Sequence, residues 1–469
     1  MPGQPAPAPV AAWIASLQWT GAGPAEGALA LDEGPAFYHG GDAYRRVVPY
    51  FSNLAVAALL DAAPSAEALD VAERWITWSL ANGGPHGVPP EWWYPTDGGP
   101  GTACPASLPT SPAMSQCDHV DATDSAAATL LDVARAYAQN GGSRLQLEAW
   151  LDDLRAVGQT LSALQDADGL TWARSDYPVK YLMDNAETVR GFRSLGVIER
   201  RLGHTAESDA AFQKADLAVA GIASLRDAGT GLWAWARHAS GADETPSLDN
   251  WYADAVAQVW PVLFGAAPRA HAQAGYVALD AAYDGQTRPD WATATPDPSG
   301  FDWPAVGMAA VLAGDLDRAH DQVVSLWDRR VAPVGGQPFA PPFTVADAGW
   351  LLRVVTETHG GTAARQALVA TAEAPAELPA PAGPSLTDLR PNPTVGSASM
   401  TLVPTVSGPV TAEVFDLQGR RVATAFQGVA DAGVARTISV DAGGLPPGLY
   451  LVRVAGSAFV ETRRLVVTR

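Results

Sequence analysis

The sequence predicts a mainly α-helical body, an (α/α)6 barrel or six-hairpin toroid, followed by a small all-β, Ig-like sandwich. Three observations carry this expectation. From about Ala11 to Ala372 apolar residues recur at spacings of three and four, the period of helices with one buried face. "LQDADGLTWAR" at 164–174 returns loosely as "LRDAGTGLWAWAR" at 225–237, a period of about sixty residues that suits a helical hairpin with one long loop. Past the Pro- and Ala-rich stretch "EAPAELPAPAGPSLTD", the pattern changes to strict alternation between Gly and Pro turns.

Taken in order, residues 1–10 are rich in Pro and read as a disordered N-terminal tail. Helices then follow one another from "VVPYFSNLAVAALLDAA" and "SAEALDVAERWITWSLA" through "DSAAATLLDVARAYAQN", "NAETVRGFRSLGVIERRLG" and "NWYADAVAQVWPVLFGA" to "TVADAGWLLRVVTETHG" and "TAARQALVATAEA". About a dozen, mostly paired by short turns, give about six antiparallel hairpins over residues 11–372. Closed head to tail these make a barrel; left open they make a solenoid, the structural alternative. Residues 373–388 form a linker. Residues 389–469, with "AEVFDLQGRRVATAF" and "LYLVRVAG" among their runs, supply six or seven short strands. All 16 tryptophans lie in the body.

Charge narrows the partners. Of 30 basic and 50 acidic residues, eight Arg and six Asp or Glu lie from Ser385 onward, which leaves 22 and 44 in the body. Such a body repels nucleic acid and anionic lipid and favours a neutral partner. Cys104 and Cys117 share one Pro-, Gly- and Ser-rich loop, where a disulfide would suit an oxidising compartment. No apolar run reaches the length of a membrane span. The start "MPGQPAPAPVAAWIASLQ" lacks the basic and apolar regions of a signal peptide, so an exported chain would have its leader upstream or removed.

The motifs "RPNPTVGSASMTL", "AEVFDLQGRRV", "GLPPGLYLVRV" and "ETRRLVVTR" resemble the type A C-terminal sorting domain of the bacterial type IX secretion system. The resemblance implies export, with the type IX machinery as partner of residues 389–469, and a product that is secreted or anchored at the cell surface. "DATDSAAAT", "YPVKYLMDNAE" and "NWYADAVAQVWPVL" make the body similar to the (α/α)6-barrel class that includes many glycoside hydrolases. That class also contains lyases, epimerases and non-catalytic proteins, so function has to come from the site. In such barrels the inner helices begin at the cleft.

Glycoside hydrolysis needs one protonated carboxyl and one ionised carboxylate. Acidic groups stand at four loop-to-helix junctions: Asp118, Asp121 and Asp124; Asp184 and Glu187; Asp249 and Asp254; Asp302. Glu91 adds one in a loop. Trp92, Trp93, Tyr94, Tyr181, Trp251, Tyr252 and Trp303 lie beside them, as sugar-stacking faces would, and His119 adjoins the first cluster. "DATD" and "DNAE" also look like capping boxes, the commoner role for each aspartate taken singly. Because a helix start favours the ionised form, Asp124 with Asp121 beside it is assigned as base or nucleophile. Asp184 and Glu91 compete as the acid, and Asp249, Asp254 and Asp302 join the aromatics as substrate contacts. Trp75, Trp78, Trp150 and Trp260 fall within helical patterns and are expected in the core.

No zinc pattern, P-loop or dinucleotide fingerprint appears, so neither metal nor cofactor is expected. "DADG" at 166–169 begins like a calcium loop but lacks its later Glu, and reads as a turn. The sequence thus favours an exported, monomeric glycoside hydrolase for a neutral or weakly charged saccharide. The alternatives are a non-catalytic carbohydrate-binding scaffold, or a lyase or epimerase on the same toroid.

Overall fold

The computed structural model describes residues 5–84, 87–105, 117–359, 385–386, 389–392, 394–403, 408–415, 421–430, 436–446, 448–456 and 459–468. The chain divides into two compact units, Met1–Pro375 and Ala376–Arg469.

The described residues of the body contain twelve α-helices: α1 (Pro7–Ser16), α2 (Pro49–Ala62), α3 (Ala66–Ala81), α4 (Thr123–Gln139), α5 (Arg144–Leu164), α6 (Leu182–Leu202), α7 (Thr205–Ser224), α8 (Trp260–Leu263), α9 (Arg269–Ala282), α10 (Ala305–Ala313), α11 (Leu316–Leu326) and α12 (Val345–His359). The even-numbered helices form the inner ring, each packed on the next, and α12 packs back on α2. The odd-numbered helices lie outside, with α1 against both α12 and α2. This is the closed toroid rather than the open solenoid.

Small residues permit the closure. Every residue of α4 from Thr123 to Ala138 is buried, and this helix is rich in alanine. On α6, a Cβ placed on Gly191 would come within 2.7 Å of the Ala128 Cβ, so glycine is required at that crossing. Leu and Val fill the rest of the interface at positions three and four apart.

Helix α1 corrects one expectation. It starts at Pro7 and buries Val10, so the segment expected to be a disordered tail already contains the first turn of the ring's outer layer. Proline at the first helical position loses nothing, because its missing N–H would have no partner there. The helix expected over "TAARQALVATAEA" and most of the 373–388 linker lie outside the described residues.

Each outer-to-inner connection runs over the same end of the ring. One carries β1 (Phe37–His39) and β2 (Asp42–Val47), which pair with β3 (Trp92–Pro95) from the next. Another carries β4 (Val179–Tyr181), paired with β5 (Ala236–His238). The α3 to α4 connection is closed by a Cys104–Cys117 disulfide, as expected.

The described residues of the second unit contain seven strands: β6 (Ser385–Leu386), β7 (Ser397–Val403), β8 (Gly408–Phe415), β9 (Arg421–Ala430), β10 (Arg436–Asp441), β11 (Gly448–Gly456) and β12 (Phe459–Val467). They form antiparallel sheets ordered β10-β7-β6 and β12-β11-β8-β9. Alternate residues, such as Met400 and Leu402, Ala412 and Val414, and Val452 and Val454, turn inward as one core. No helix among the described residues is long and apolar enough to cross a membrane.

Candidate active site

The connections enclose a cavity of about 1240 Å³ at the end where the inner helices begin. Asp121, Asp184, Asp254, Asp297 and Asp347 line it, together with Glu91 and a set of aromatic rings. The junctions "DATD", "YLMDNAE" and "DNWYAD" therefore do converge, and each contributes a carboxyl to one space.

The capping explanation fails for the first two junctions. Ala122 and Tyr181 occupy the N-cap positions of α4 and α6, and neither side chain caps. Asp184, in the first turn of α6, has a buried Oδ2 with no hydrogen-bond partner among the described residues. Burial pushes its carboxyl well above the ordinary carboxylate range, and the nearby charges of Asp124, Glu187 and Asp121 push the same way. The helix start favours ionisation, but desolvation outweighs it. Asp184 is thus biased toward its protonated form.

Asp124 departs from its assigned role. It is fully buried and does not reach the cavity; Oδ1 accepts from the Ser125 amide (2.8 Å) and Oδ2 from the Thr171 hydroxyl (2.6 Å). Burial raises it to about 7, opposite to the lowering expected from the helix dipole. Glu187 sits one turn below Asp184 and accepts from Tyr50 (2.7 Å), Trp260 (2.9 Å) and the Ser125 hydroxyl. Burial raises its carboxyl to about 7 as well. Together these groups form a polar floor beneath Asp184.

Asp347 is the main omission of the sequence reading. It lines the cavity from the first turn of α12, where Thr344 and Asp347 form a true capping box. Its Oδ2 accepts from the Thr344 amide (2.9 Å) and hydroxyl (2.7 Å), while the Asp347 amide donates back to Thr344 Oγ1 (3.3 Å). Burial raises its carboxyl to about 6. The pattern Thr-x-x-Asp in "TVAD" was the available signal. Helices α6 and α12 are three places apart in a ring of six, so Asp184 and Asp347 stand on opposite walls.

Aromatic rings line the space between. Tyr252 is exposed and stacks on Trp303 (centroids 5.3 Å), and Tyr181 stacks on Trp235 (5.9 Å). Tyr252 has extended backbone angles inside the turn Trp251–Ala255, which lifts its ring out of the helix path. Trp303 has φ of 52°, a costly conformation for a bulky residue, held by a 2.6 Å hydrogen bond from its Nε1 to Asp297. Trp260 is core, as expected, yet its face also borders the cavity, as do Trp350 and His119.

Several expected contacts lie elsewhere. Strand pairing in β3 turns Tyr94 into the core, where its hydroxyl accepts from Trp78 Nε1 (3.2 Å) and Trp92 stacks on it away from the cavity, while Trp93 is buried on the opposite face beneath Arg46. Trp251 is buried against Tyr283. Asp249 is exposed and pairs with Arg288 (2.9 Å). Asp302 is consumed by Arg329 and Arg330, both at 2.7 Å. Glu91 does face the cavity, but both its oxygens accept from Arg46 (2.8 and 2.7 Å), so the pair is held as a bidentate ion pair. The "DADG" turn holds a lysine ammonium: Lys180 Nζ lies 2.8 Å from Asp166 and 2.7 Å from Asp168. Among the described residues, no group of three His, Cys, Asp or Glu side chains is arranged around a metal position.

Residues 389–468 match the family model described as "Secretion system C-terminal sorting domain". The second unit is a sorting domain. Its motifs are those that resemble type IX cargo, and a sorting domain marks the chain for secretion. Upstream of the sorting domain, the body superposes on solved glycosidases. A wild-type glycosidase is 16% identical, covers 75% of this chain and 96% of its own, and has a TM-score of 0.50. A glycosidase variant gives 15%, 75%, 96% and 0.51, and one in complex with glucose gives 16%, 75%, 95% and 0.50. The body accordingly has their toroid fold. No curated protein matches the chain in sequence.

Proposed function

We propose that the body is a glycoside hydrolase that acts on a neutral or weakly charged saccharide outside the cell. The observation that carries this reading is Asp184, a carboxyl on the wall of an aromatic cavity that burial biases toward its protonated form. Protonated Asp184 gives its proton to the leaving oxygen. Asp347, ionised above about pH 6 and oriented by Thr344, takes a proton from water attacking from the opposite wall. Opposed carboxyls with a water between them predict inversion at the anomeric carbon. Asp121, expected from the sequence beside Asp124 as the ionised partner, adds instead to the negative charge that, after burial and together with Asp124 and Glu187, raises Asp184.

Tyr252 with Trp303 and Tyr181 with Trp235 offer faces for sugar rings. Six carboxyl groups face two guanidinium groups, Arg46 and Arg174, and Arg46 is bound to Glu91. That balance disfavours uronates and hence a lyase. The sorting domain supports delivery to the cell surface, and the glycosidases that share the toroid show that the fold accommodates this chemistry.

A panel of neutral oligosaccharides and aryl glycosides, read by product release and by NMR of the first-formed anomer, tests the reading. Turnover by the wild type, lost in folded Asp184→Asn and Asp347→Asn, is the expected result. Full turnover in both variants overturns the assignment, and saccharide binding without cleavage by the wild type would make the body a binding scaffold.

A further inference from the structure

A second cavity, of about 150 Å³, lies in the barrel lumen under the first, and the two share Leu54 and Trp350. Its wall includes Asp61 near the end of α2, Asp132 on α4, Arg190 on α6 and Arg353 on α12. Arg190 and Arg353 are each six residues past the carboxyls of the upper cavity, about 9 Å along their helices. Nothing proposed above uses them.

The ion pairs in this cluster can be followed one by one. Arg135 donates to Asp132 (2.7 Å) and Asp61 (3.1 Å), and Arg353 also binds Asp61 (3.1 Å). Asp132 further accepts from the Ser194 hydroxyl (3.0 Å). Arg190 makes no hydrogen bond or ion pair with any described residue, although Asp132, Asp61, Arg135 and Arg353 all act on it electrostatically. Three guanidinium groups therefore face two carboxylates, and the surplus positive charge sits on the cavity wall.

Neighbouring groups do not cancel it. Glu357 acts on Arg353 from one turn further along α12 but does not line the cavity and is not among the groups that act on Arg190. Arg193 binds the Gly265 carbonyl (2.7 Å) and is acted on by Asp216. A guanidinium cannot give up its charge by losing a proton, so enclosure in low dielectric demands a counter-charge. The space holds an ion with one or two waters.

We propose that the lower cavity is an anion site in which Arg190 binds one small monovalent anion, chloride or an ion of its size. The surplus of one charge selects a single negative charge over phosphate or sulfate. The site balances the ionic cluster that joins α2, α4, α6 and α12, and so fastens four of the six inner helices.

The full chain, dialysed free of chloride, is titrated with sodium chloride while sodium HEPES, too bulky for the cavity, keeps ionic strength constant. A saturable rise in Tm of about 5 °C is expected at a hundredfold excess over half-saturation. Arg190→Met should abolish that rise. A Tm indifferent to chloride, or a rise that persists in Arg190→Met, overturns the proposal. Wild-type crystals soaked in sodium bromide give a second measurement that needs no variant: an anomalous peak beside Arg190 supports the site, and its absence refutes it. Neither readout involves turnover, so the outcome is independent of the hydrolase reading.

Discussion

The first turns of α6 and α12 carry the same group at the same position. Asp184 and Asp347 are both the third residue of an inner helix, and both face the upper cavity. What separates them is the residue at the N-cap. Tyr181 has no oxygen to offer the α6 amides, whereas Thr344 closes a capping box on Asp347. One carboxyl consequently keeps an oxygen without a partner among the described residues and is pushed far up by burial; the other is oriented by two hydrogen bonds and reaches only about 6. A helix start does not by itself fix a protonation state. The cap residue and the desolvation decide it, and in the proposed mechanism they make an acid and a base of one residue type.

That contrast can be broken in several ways. Asp184→Asn removes the transferable proton and should lower kcat by about 10³- to 10⁴-fold, and Asp347→Asn by roughly 10²- to 10³-fold, each measured with circular dichroism to show retained fold. Tyr181→Ser gives α6 a capping box of its own. If Asp184 is captured by it, kcat should drop by at least about tenfold, while Tyr181→Phe, which keeps the ring without a short hydroxyl, should change kcat little. The pH profile sharpens the comparison. Activity should fall below about pH 6 as Asp347 takes up a proton, and fall again at high pH as Asp184 ionises. Asp121→Asn removes a negative charge that raises Asp184, so the alkaline limb should move to lower pH and the acidic limb should stay. Thr344→Ala should have the smallest effect, about 1 kcal/mol of stability lost from the cap, read as a lower Tm, with kcat reduced a few-fold because Asp347 is no longer oriented.

A stability measurement separates the buried floor from the site. Asp124 and Glu187 both reach about 7 in the folded chain, above their unfolded values, so the folded state holds protons that the unfolded state releases. Stability from this source is fully present at low pH and is lost as pH rises from about 4 through 7. Asp124→Asn should flatten part of that decline in Tm scans between pH 5 and 8, by on the order of 2 kcal/mol.

Much of the architecture is written in local patterns. Periodicity of three and four, the sixty-residue echo and the abrupt change to alternation identify eleven of the twelve described helices, α2 to α12, and a sandwich, because burying one face of each helix or strand imposes that spacing. The site is legible only where a carboxyl has no better partner. Asp121, Asp184, Asp254, Tyr181, Tyr252 and Trp303 reach the cavity as expected. Asp249, Asp302 and Glu91 look identical in sequence, yet arginines distant along the chain claim them, and no local pattern announces those pairs. "PPEWWYP" misleads for a similar reason, since pairing of β3 with β2 decides which rings turn inward. Asp347 was hidden in an ordinary capping motif, where the geometry of the ring rather than the motif gives it a wall of the cavity.

Helix α1 gives the toroid an unusual dependence on its own order of synthesis. Val10 and Ile14 are fully buried, and Trp13 stacks on Phe339 (4.5 Å), so the earliest helix of the body completes a seam with the latest inner one. Contacts of such long sequence separation form late in folding. A chain threaded from its front end through an export channel would therefore remain an open arc until α12 has emerged, and it would snap shut only when head meets tail. A protease that nicks the stretch after Ser16 would sever α1 from the rest of the chain, while the inner ring stays closed by α12 on α2.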